Sequence, residues 1–83
     1  MKVQVRYFAS LREALGPREE VEVAAGSTLG GLRDLLIARG GSHAELLARG
    51  RAVRCAMQQL MCDESTVIAE GAEVAFFPPV TGG

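Results

Sequence analysis

Alternating apolar and polar residues near the N-terminus predict two β-strands. Val3, Val5 and Tyr7 alternate with polar neighbours in the first strand. Val21 and Val23 alternate with glutamates in the second, so that strand is expected to have one face in water. Because only a short connection separates the two segments, we expect them to pair as antiparallel neighbours.

The main helix is predicted within "STLGGLRDLLIARGG", where one stripe contains Leu29, Leu32, Leu36 and Arg39, with Leu35 beside it. Ser27 or Thr28 is expected to cap its N-terminus. A pair of glycines follows in the first turn, and each costs about 1 kcal/mol relative to alanine inside a helix. The pair is therefore expected either to delay the helix start or to let another segment approach the backbone closely.

Two shorter helices are predicted from capping residues. Ser10 and Glu13 in "SLREALGP" have the spacing of a capping box, and a Gly-Pro pair ends that segment. Ser42 and Glu45 repeat the spacing before a helix of about two turns.

From residue 52 the apolar period returns to two, which predicts several short strands. Gln58-Gln59 is expected to form a tight turn, with Met57 and Met61 filling the core on either side. Val67 and Ile68 are expected to pack further along. The order of the elements predicts one α+β domain, in which a sheet packs on one main helix.

Composition and charge exclude several classes of function. Nine basic and ten acidic residues leave no basic excess for binding nucleic acid. No apolar run approaches the ~20 residues of a membrane span, and the N-terminus lacks the apolar block of a signal peptide. We therefore expect a cytoplasmic protein, in which Cys55 and Cys62 are buried thiols in preference to a redox pair.

The side chains do not assemble into an enzyme active site. His43 is expected to be a solvated surface residue, and the chain has too few ligands for a zinc site. Asp63 and Glu64 are expected to lie on a solvent-exposed turn in preference to forming a general acid–base pair. We expect a solvent-exposed strand edge at Arg49, Arg51 and Arg54, with docking of an acidic partner as the alternative.

The last eight residues, "FFPPVTGG", combine a stiff part with a part that has almost no side chains. Phe77 is expected near the surface, because its neighbour Phe76 belongs to the core face of the last strand. Pro78 and Pro79 end the strand and direct the chain into extended geometry. Gly82-Gly83 could thread a narrow pocket and present an α-carboxylate, which would need activation, for instance as an acyl-adenylate.

A small domain that ends in Gly-Gly resembles the ubiquitin-like sulfur carriers. More narrowly, "EGAEVAFFPPVTGG" closely resembles the C-terminus of the small subunits of molybdopterin synthases. Supporting similarity runs through "YFASLRE", "TLGGLRDLL" and "CAMQQLM", and so covers essentially the whole chain. The resemblance implies an α+β, β-grasp (ubiquitin-like) fold over residues 1–77, with a mixed sheet on one main helix and short extra helices. Residues 78–83 would form an extended tail.

The resemblance also implies how the tail would be used. An ATP-dependent activating enzyme would adenylate the carboxylate of Gly83, and sulfur would replace the adenylate to give a thiocarboxylate. Val80, Thr81 and Gly82 would thread into the large synthase subunit, where the sulfur attacks a cyclic pyranopterin monophosphate. Two such transfers would build the dithiolene that binds molybdenum.

The same resemblance implies that the catalytic groups lie on other proteins. This chain would bind no cofactor and no metal, ATP would be used by the activating enzyme, and catalytic acid–base groups would lie on the large subunit. Phe77, Pro78 and Pro79 would lie at the subunit interface of a heterotetramer with two small subunits.

Three alternatives remain open from the sequence. A thiamine-pathway sulfur carrier shares the fold and the terminal diglycine. A ubiquitin-like protein modifier would form an isopeptide bond with lysine instead of taking sulfur. A non-covalent adaptor would use the tail structurally, and would keep its function if Gly82-Gly83 were deleted.

Overall fold

The computed structural model describes residues 1–79, which form a five-stranded mixed sheet and three helices. The strands are β1 (Lys2–Tyr7), β2 (Arg18–Glu22), β3 (Arg54–Met57), β4 (Leu60–Met61) and β5 (Glu73–Phe77). The helices are α1 (Ala9–Leu15), α2 (Leu29–Ile37) and α3 (Gly41–Leu47).

The sheet has the strand order β2-β1-β5-β3-β4. The β1–β2 pair is antiparallel, as the short connection predicts. The first and last strands lie side by side and parallel at the centre, and β5 also pairs with β3 in antiparallel fashion. A parallel central pair needs a crossover connection, and this one contains α2. The predicted α+β, β-grasp (ubiquitin-like) fold is confirmed.

The hydrophobic core lies between the sheet and α2. The stripe of Leu29, Leu32 and Leu36 is fully buried and belongs to one cluster with alternate residues of the central strands, such as Val5 and Phe76. The predicted strand faces and the three leucines of the helix stripe are therefore confirmed, whereas Leu35 and Arg39 are exposed. These contacts position β5, from which the C-terminal tail continues.

Only one of the predicted side-chain caps exists. Thr28 Oγ1 accepts a hydrogen bond of 3.0 Å from the first turn of α2, as predicted. The two predicted capping boxes are wrong, because α1 begins at Ala9 and α3 at Gly41, without side-chain caps. Ser10 and Ser42 thus lie inside the first turn, whereas a capping side chain must precede it.

The first turn of α2 packs closely against the chain after β4. The Gly30 N–H donates to the Glu64 carbonyl at 2.8 Å, and a Cβ on Gly30 would lie 3.2 Å from the Glu64 carboxylate. The glycine therefore permits a close approach of two segments, which is one of the two roles expected for the pair.

The β3–β4 hairpin confirms one prediction and corrects another. Gln58 and Gln59 have φ angles of 51° and 68°, as in the tight turns that suit β-hairpins. Met61 was expected in the core but is 60% exposed, because it pairs with Ala56 on the side of the sheet away from the helices. Val67 is likewise exposed, whereas Ile68 is buried as predicted.

No helix within residues 1–79 is both long and apolar enough to cross a membrane.

Candidate functional site

The C-terminal tail continues from a strand at the centre of the sheet. β5 lies between β1 and β3 and is paired on both sides. Pro78 and Pro79 follow it and are the last two described residues. Proline has no N–H to donate to a ladder, so strand pairing ends after Phe77. The root of the tail is therefore held firmly by the domain.

Alternate residues of β5 face opposite sides of the sheet. Val74 and Phe76 are 0% exposed within the core, whereas Phe77 is half-buried on the other face. The predicted register of the last strand is confirmed. Phe77 is thus available to a partner without being part of the core.

The open face of the sheet, opposite the helices, divides into a charged half and an apolar half. On β1 and β2 the outward positions are polar or charged: Lys2, Gln4, Arg6, Arg18, Glu20 and Glu22. On β3, β4 and β5 they include the apolar residues Ala56, Met61, Ala75 and Phe77. The tail therefore leaves the sheet from its apolar half.

A groove of about 560 Å³ lies on this apolar half, and we refer to it as the β5 groove. Its lining comprises Arg6, Phe8, Ala9, Ala56, Gln59, Met61, Glu73, Ala75, Phe77 and Pro78. Leu60, beside the groove residue Met61, is 71% exposed. An apolar surface that continues into the root of the tail is typical of an interaction site.

Arg6 forms a polar wall of the β5 groove. Its guanidinium lies 5.2 Å from the ring centroid of Phe8, and Nη1 lies 3.7 Å from the Glu73 carboxylate. Its Nε is buried and has no hydrogen-bond partner among the described residues. Buried donors are normally paired, so this atom is an exception among the described residues.

The predicted interface residues lie at this groove, but their role stays a prediction. Phe77 and Pro78 line it, and Pro79 is half-buried. The predicted threading and loading residues, Val80 to Gly83, lie outside the described residues. The predicted boundary between a domain of residues 1–77 and a tail of residues 78–83 also stays a prediction.

Sequence reasoning did not identify Arg6, Phe8 and Met61 as part of the site. Alternation along β1 places Arg6 on the open face, but it does not reveal which strand lies beside β1. The register that pairs Arg6 with Ala75 joins opposite ends of the chain. That neighbourhood depends on tertiary structure, so no local pattern could have signalled it.

A buried arginine joins three segments on the helical side of the sheet. Arg33 is only 3% exposed and was not singled out from the sequence. Its guanidinium donates to the carbonyls of Leu47, Ala48 and Arg51 at 2.7 to 3.1 Å and to the Glu64 carboxylate at 2.8 Å. Arg33 therefore fixes the loop after α3 and the segment after β4 onto α2.

The predictions for the neighbouring charged residues are wrong in part. Arg49, Arg51 and Arg54 do not form a strand edge, because only Arg54 belongs to a strand, and β3 has a neighbour on each side. Arg49 instead pairs with Asp34 at 2.7 Å and with Glu64. Asp63 is exposed as predicted, but Glu64 is held in ion pairs with Arg33 and Arg49. Burial alone would raise the pKa of Glu64, but the hydrogen bonds from these arginines hold it below the ordinary value.

His43 is also not the solvated residue that was predicted. Its Nε2 lies 3.0 Å from the Glu19 carboxylate, and its side chain is 21% exposed. The Tyr7 hydroxyl donates to the same carboxylate at 2.8 Å, and Arg39 also pairs with it. Burial alone would raise the pKa of Glu19, but the bonds from Arg39, His43 and Tyr7 more than offset this and lower it.

Acid is expected to destabilise the domain through Glu19. Because its folded pKa lies below the ordinary 4.5, the contribution of Glu19 is complete above that pH. The contribution is lost as the pH falls through the lowered pKa. Urea unfolding between about pH 3 and pH 7 would measure this. The free energy of unfolding should fall less steeply with decreasing pH in Glu19→Gln than in the native chain. Tyr7→Phe, which removes one donor, should be intermediate, and equal slopes for all three proteins would contradict the assignment.

The comparisons with known proteins cover the domain and the tail together. The chain matches the sequence model of the ThiS family over residues 5–83. It is 42% identical over 85 residues to the molybdopterin synthase sulfur carrier subunit of Mycobacterium tuberculosis, covering 100% of this chain and 99% of the relative. The protein of that name from Escherichia coli is 38% identical over 82 residues, with 98% and 99% covered.

A solved structure has the same architecture. SAMP1 from Haloferax volcanii superposes with a TM-score of 0.79 and is 26% identical in sequence, and the match covers 100% of both chains. The element order and the central parallel strand pair therefore belong to a fold that is shared over the full length of both proteins.

Proposed function

The chain belongs to the ThiS family, and on that premise we propose that it is the sulfur carrier subunit of a molybdopterin synthase. The observation that carries the proposal is the full-length similarity to relatives with that name, at 42% and 38% identity. The β5 groove supports it, because Phe77 and Pro78 place an apolar surface directly beside the root of the tail. A partner can thus contact the domain and receive the tail at the same time.

In this function the reactive group is the carboxyl group of Gly83. A carboxylate oxygen attacks the α-phosphorus of ATP on the activating enzyme and releases pyrophosphate. A sulfur nucleophile then displaces AMP from the acyl-adenylate and leaves a thiocarboxylate. Activation is required because an ionised carboxylate is a poor electrophile. Gly83 carries the sulfur, and the absence of a Cβ on Gly82 and Gly83 leaves room for a narrow channel.

The remaining chemistry belongs to the partner proteins. The large subunit would bind the cyclic pyranopterin monophosphate and supply the acid–base groups, while the activating enzyme would use ATP. We propose that both encounters take place in the cytoplasm, and that two copies of this chain join two large subunits in a heterotetramer. Glu19 and Glu64 are engaged in structural pairs with arginines, which agrees with a carrier whose chemistry lies in its tail.

We place the large subunit on the β5 groove. Phe77 would be its apolar anchor, with Pro78 and Pro79 fixing the direction of the tail. The charged half of the open face would form the polar rim of the interface.

Phe77→Ala is expected to weaken binding to the cognate large subunit about 30-fold, which corresponds to about 2 kcal/mol. The side chain is half-buried on the open face, outside the core, so the free energy of unfolding should change little. Isothermal titration calorimetry would measure the binding, and urea unfolding the stability.

The matched control for this variant is Phe76→Ala, one residue earlier on the same strand. Phe76 is 0% exposed, so its truncation should cost about 3 to 5 kcal/mol of folding free energy. If Phe77→Ala also unfolded the domain, or if it bound the large subunit like the native chain, the proposed interface would be wrong.

The loading reaction itself is tested by intact mass. The chain would be incubated with its cognate activating enzyme, ATP and a sulfide source. The expected product is heavier by the exchange of one oxygen for sulfur, with the change mapped to Gly83 and absent without ATP. No shift, with the enzyme active on another carrier, would contradict the proposal.

The same preparation separates the alternative functions. A loaded chain that transfers sulfur to cyclic pyranopterin monophosphate on the large subunit supports the synthase function. Transfer only to a thiamine-pathway acceptor, or a lysine-linked adduct without sulfur, would replace it with the corresponding alternative.

A further inference from the structure

Cys55 and Cys62 occupy opposite positions across the β3–β4 hairpin. Ala56 pairs with Met61 in the ladder, so the next pair away from the turn is Cys55 with Cys62. The Cys62 N–H donates to the Cys55 carbonyl at 3.2 Å, which shows that pairing continues to this position. Directly opposed residues in an antiparallel pair carry their side chains on the same face of the sheet.

The spacing of such a pair suits a disulfide. Opposed Cα atoms of a hydrogen-bonded antiparallel pair lie about 5.5 Å apart, and disulfides join Cα atoms about 4.4 to 6.8 Å apart. Both thiols are free, and Cys55 Sγ already lies 3.4 Å from the Cys62 carbonyl oxygen. The Cys62 thiol donates to the Leu60 carbonyl at 3.3 Å, so its side chain must rotate before the bond can form. The chain contains only these two cysteines, so no third thiol competes.

The two thiols differ in their access to solvent. Cys55 is 4% exposed, which confirms the prediction of a buried thiol, whereas Cys62 is only partly buried and departs from it. Burial raises the pKa of the Cys55 thiol, so that it stays protonated at neutral pH. A reagent in solution therefore meets Cys62 first.

We propose that Cys55 and Cys62 are a reversible dithiol–disulfide site, with Cys62 as the attacking and Cys55 as the resolving thiol. The oxidant is a low-molecular-weight disulfide. The Cys62 sulfur attacks it, forms a mixed disulfide and releases one small thiol, which takes the Cys62 proton. The Cys55 sulfur then attacks the Cys62 sulfur, and the second small thiol leaves with the remaining proton. Two protein thiols are oxidised, and one small disulfide is reduced to two thiols.

The bridge would fix an edge of the sheet that little else restrains. β4 contains two residues, and among residues 1–79 it pairs with β3 alone. It carries Leu60 and Met61, which are largely exposed, and Met61 lines the β5 groove. A crosslink at the base of the hairpin should therefore slow amide hydrogen exchange across β4. An effect on docking would rest on the proposed function, whereas the disulfide itself forms without any partner.

The test uses the full chain and glutathione, over a series of reduced-to-oxidised ratios. After acid quenching and alkylation, intact mass should show a folded monomer that has lost two hydrogens and accepts no alkylating reagent. Reduced glutathione should reverse the change. Cys55→Ser should stop at one glutathione on Cys62, and Cys62→Ser should react at least about tenfold more slowly than the native chain. Circular dichroism would show that each variant is folded.

Three results would overturn the proposal. The native chain could accumulate a mixed disulfide that never resolves. Cys62→Ser could react as fast as the native chain, which would reverse or remove the assigned roles. The bond could form only in urea, which would show that the folded hairpin keeps the thiols apart. Each result is independent of sulfur loading at Gly83, so it leaves the proposed function unaffected.

Discussion

A chain extended by a single residue beyond Gly83 will not be loaded with sulfur, although it will fold like the native chain. The proposed reaction needs a free carboxyl group on Gly83, and extension converts that group into an amide. The new terminal residue also carries its carboxylate one residue beyond the position that Gly83 would occupy in the activating enzyme. We expect complete loss of the oxygen-to-sulfur mass change under conditions that load the native chain.

The fold is expected to tolerate this extension because no described core residue lies beyond Phe76. The free energy of unfolding, measured in urea, should stay within about 0.5 kcal/mol of the native value. A matched control uses a protease site in the extension, so that cleavage regenerates Gly83 and restores loading. An extended protein that carries sulfur at its terminus would contradict the mechanism.

Arg33→Met is expected to destabilise the domain by about 3 kcal/mol, although it replaces a charged residue with an apolar one of similar length. The guanidinium donates to three backbone carbonyls and one carboxylate, with donor–acceptor distances of 2.7 to 3.1 Å. Methionine can donate to none of them, and each buried acceptor left unpaired costs about 1 to 3 kcal/mol. Urea unfolding would measure the loss.

Arg49→Met is the matched control, because Arg49 belongs to the same charge network but its side chain is 48% exposed. Exposed ion pairs contribute about 0 to 1 kcal/mol, so this variant should lose far less stability. Arg33→Lys should retain part of the stability, since an ammonium keeps the charge but lacks the planar fork of donors. Equal losses for Arg33→Met and Arg49→Met would show that burial of Arg33 is not the source of its effect.

The site residues that could be predicted are those whose position depends on near neighbours in the chain. Phe77 was placed on the open face from alternation with Phe76, and the structure confirms the face. The β5 groove was not predicted, because its walls come from four strands and the start of α1. Met61 was misplaced for the same reason: its apolar side chain suggested the core, but its strand pairs at the edge of the sheet.

The sequence by itself determined the features that depend on near neighbours in the chain. The period of two in β1 and β5, the stripe of α2 and the Thr28 cap each involve residues a few positions apart. The sequence also carries the family resemblance, which depends on the order of residues up to Gly83.

Only the tertiary structure decided which segments meet. Three features join distant parts of the chain. β1 pairs in parallel with β5, Arg33 donates to acceptors 14 to 31 residues away, and His43 contacts Glu19. Their physical reason is burial. A sheet covered on one face by α2 brings polar groups out of water, and each must then find a partner wherever the fold supplies one.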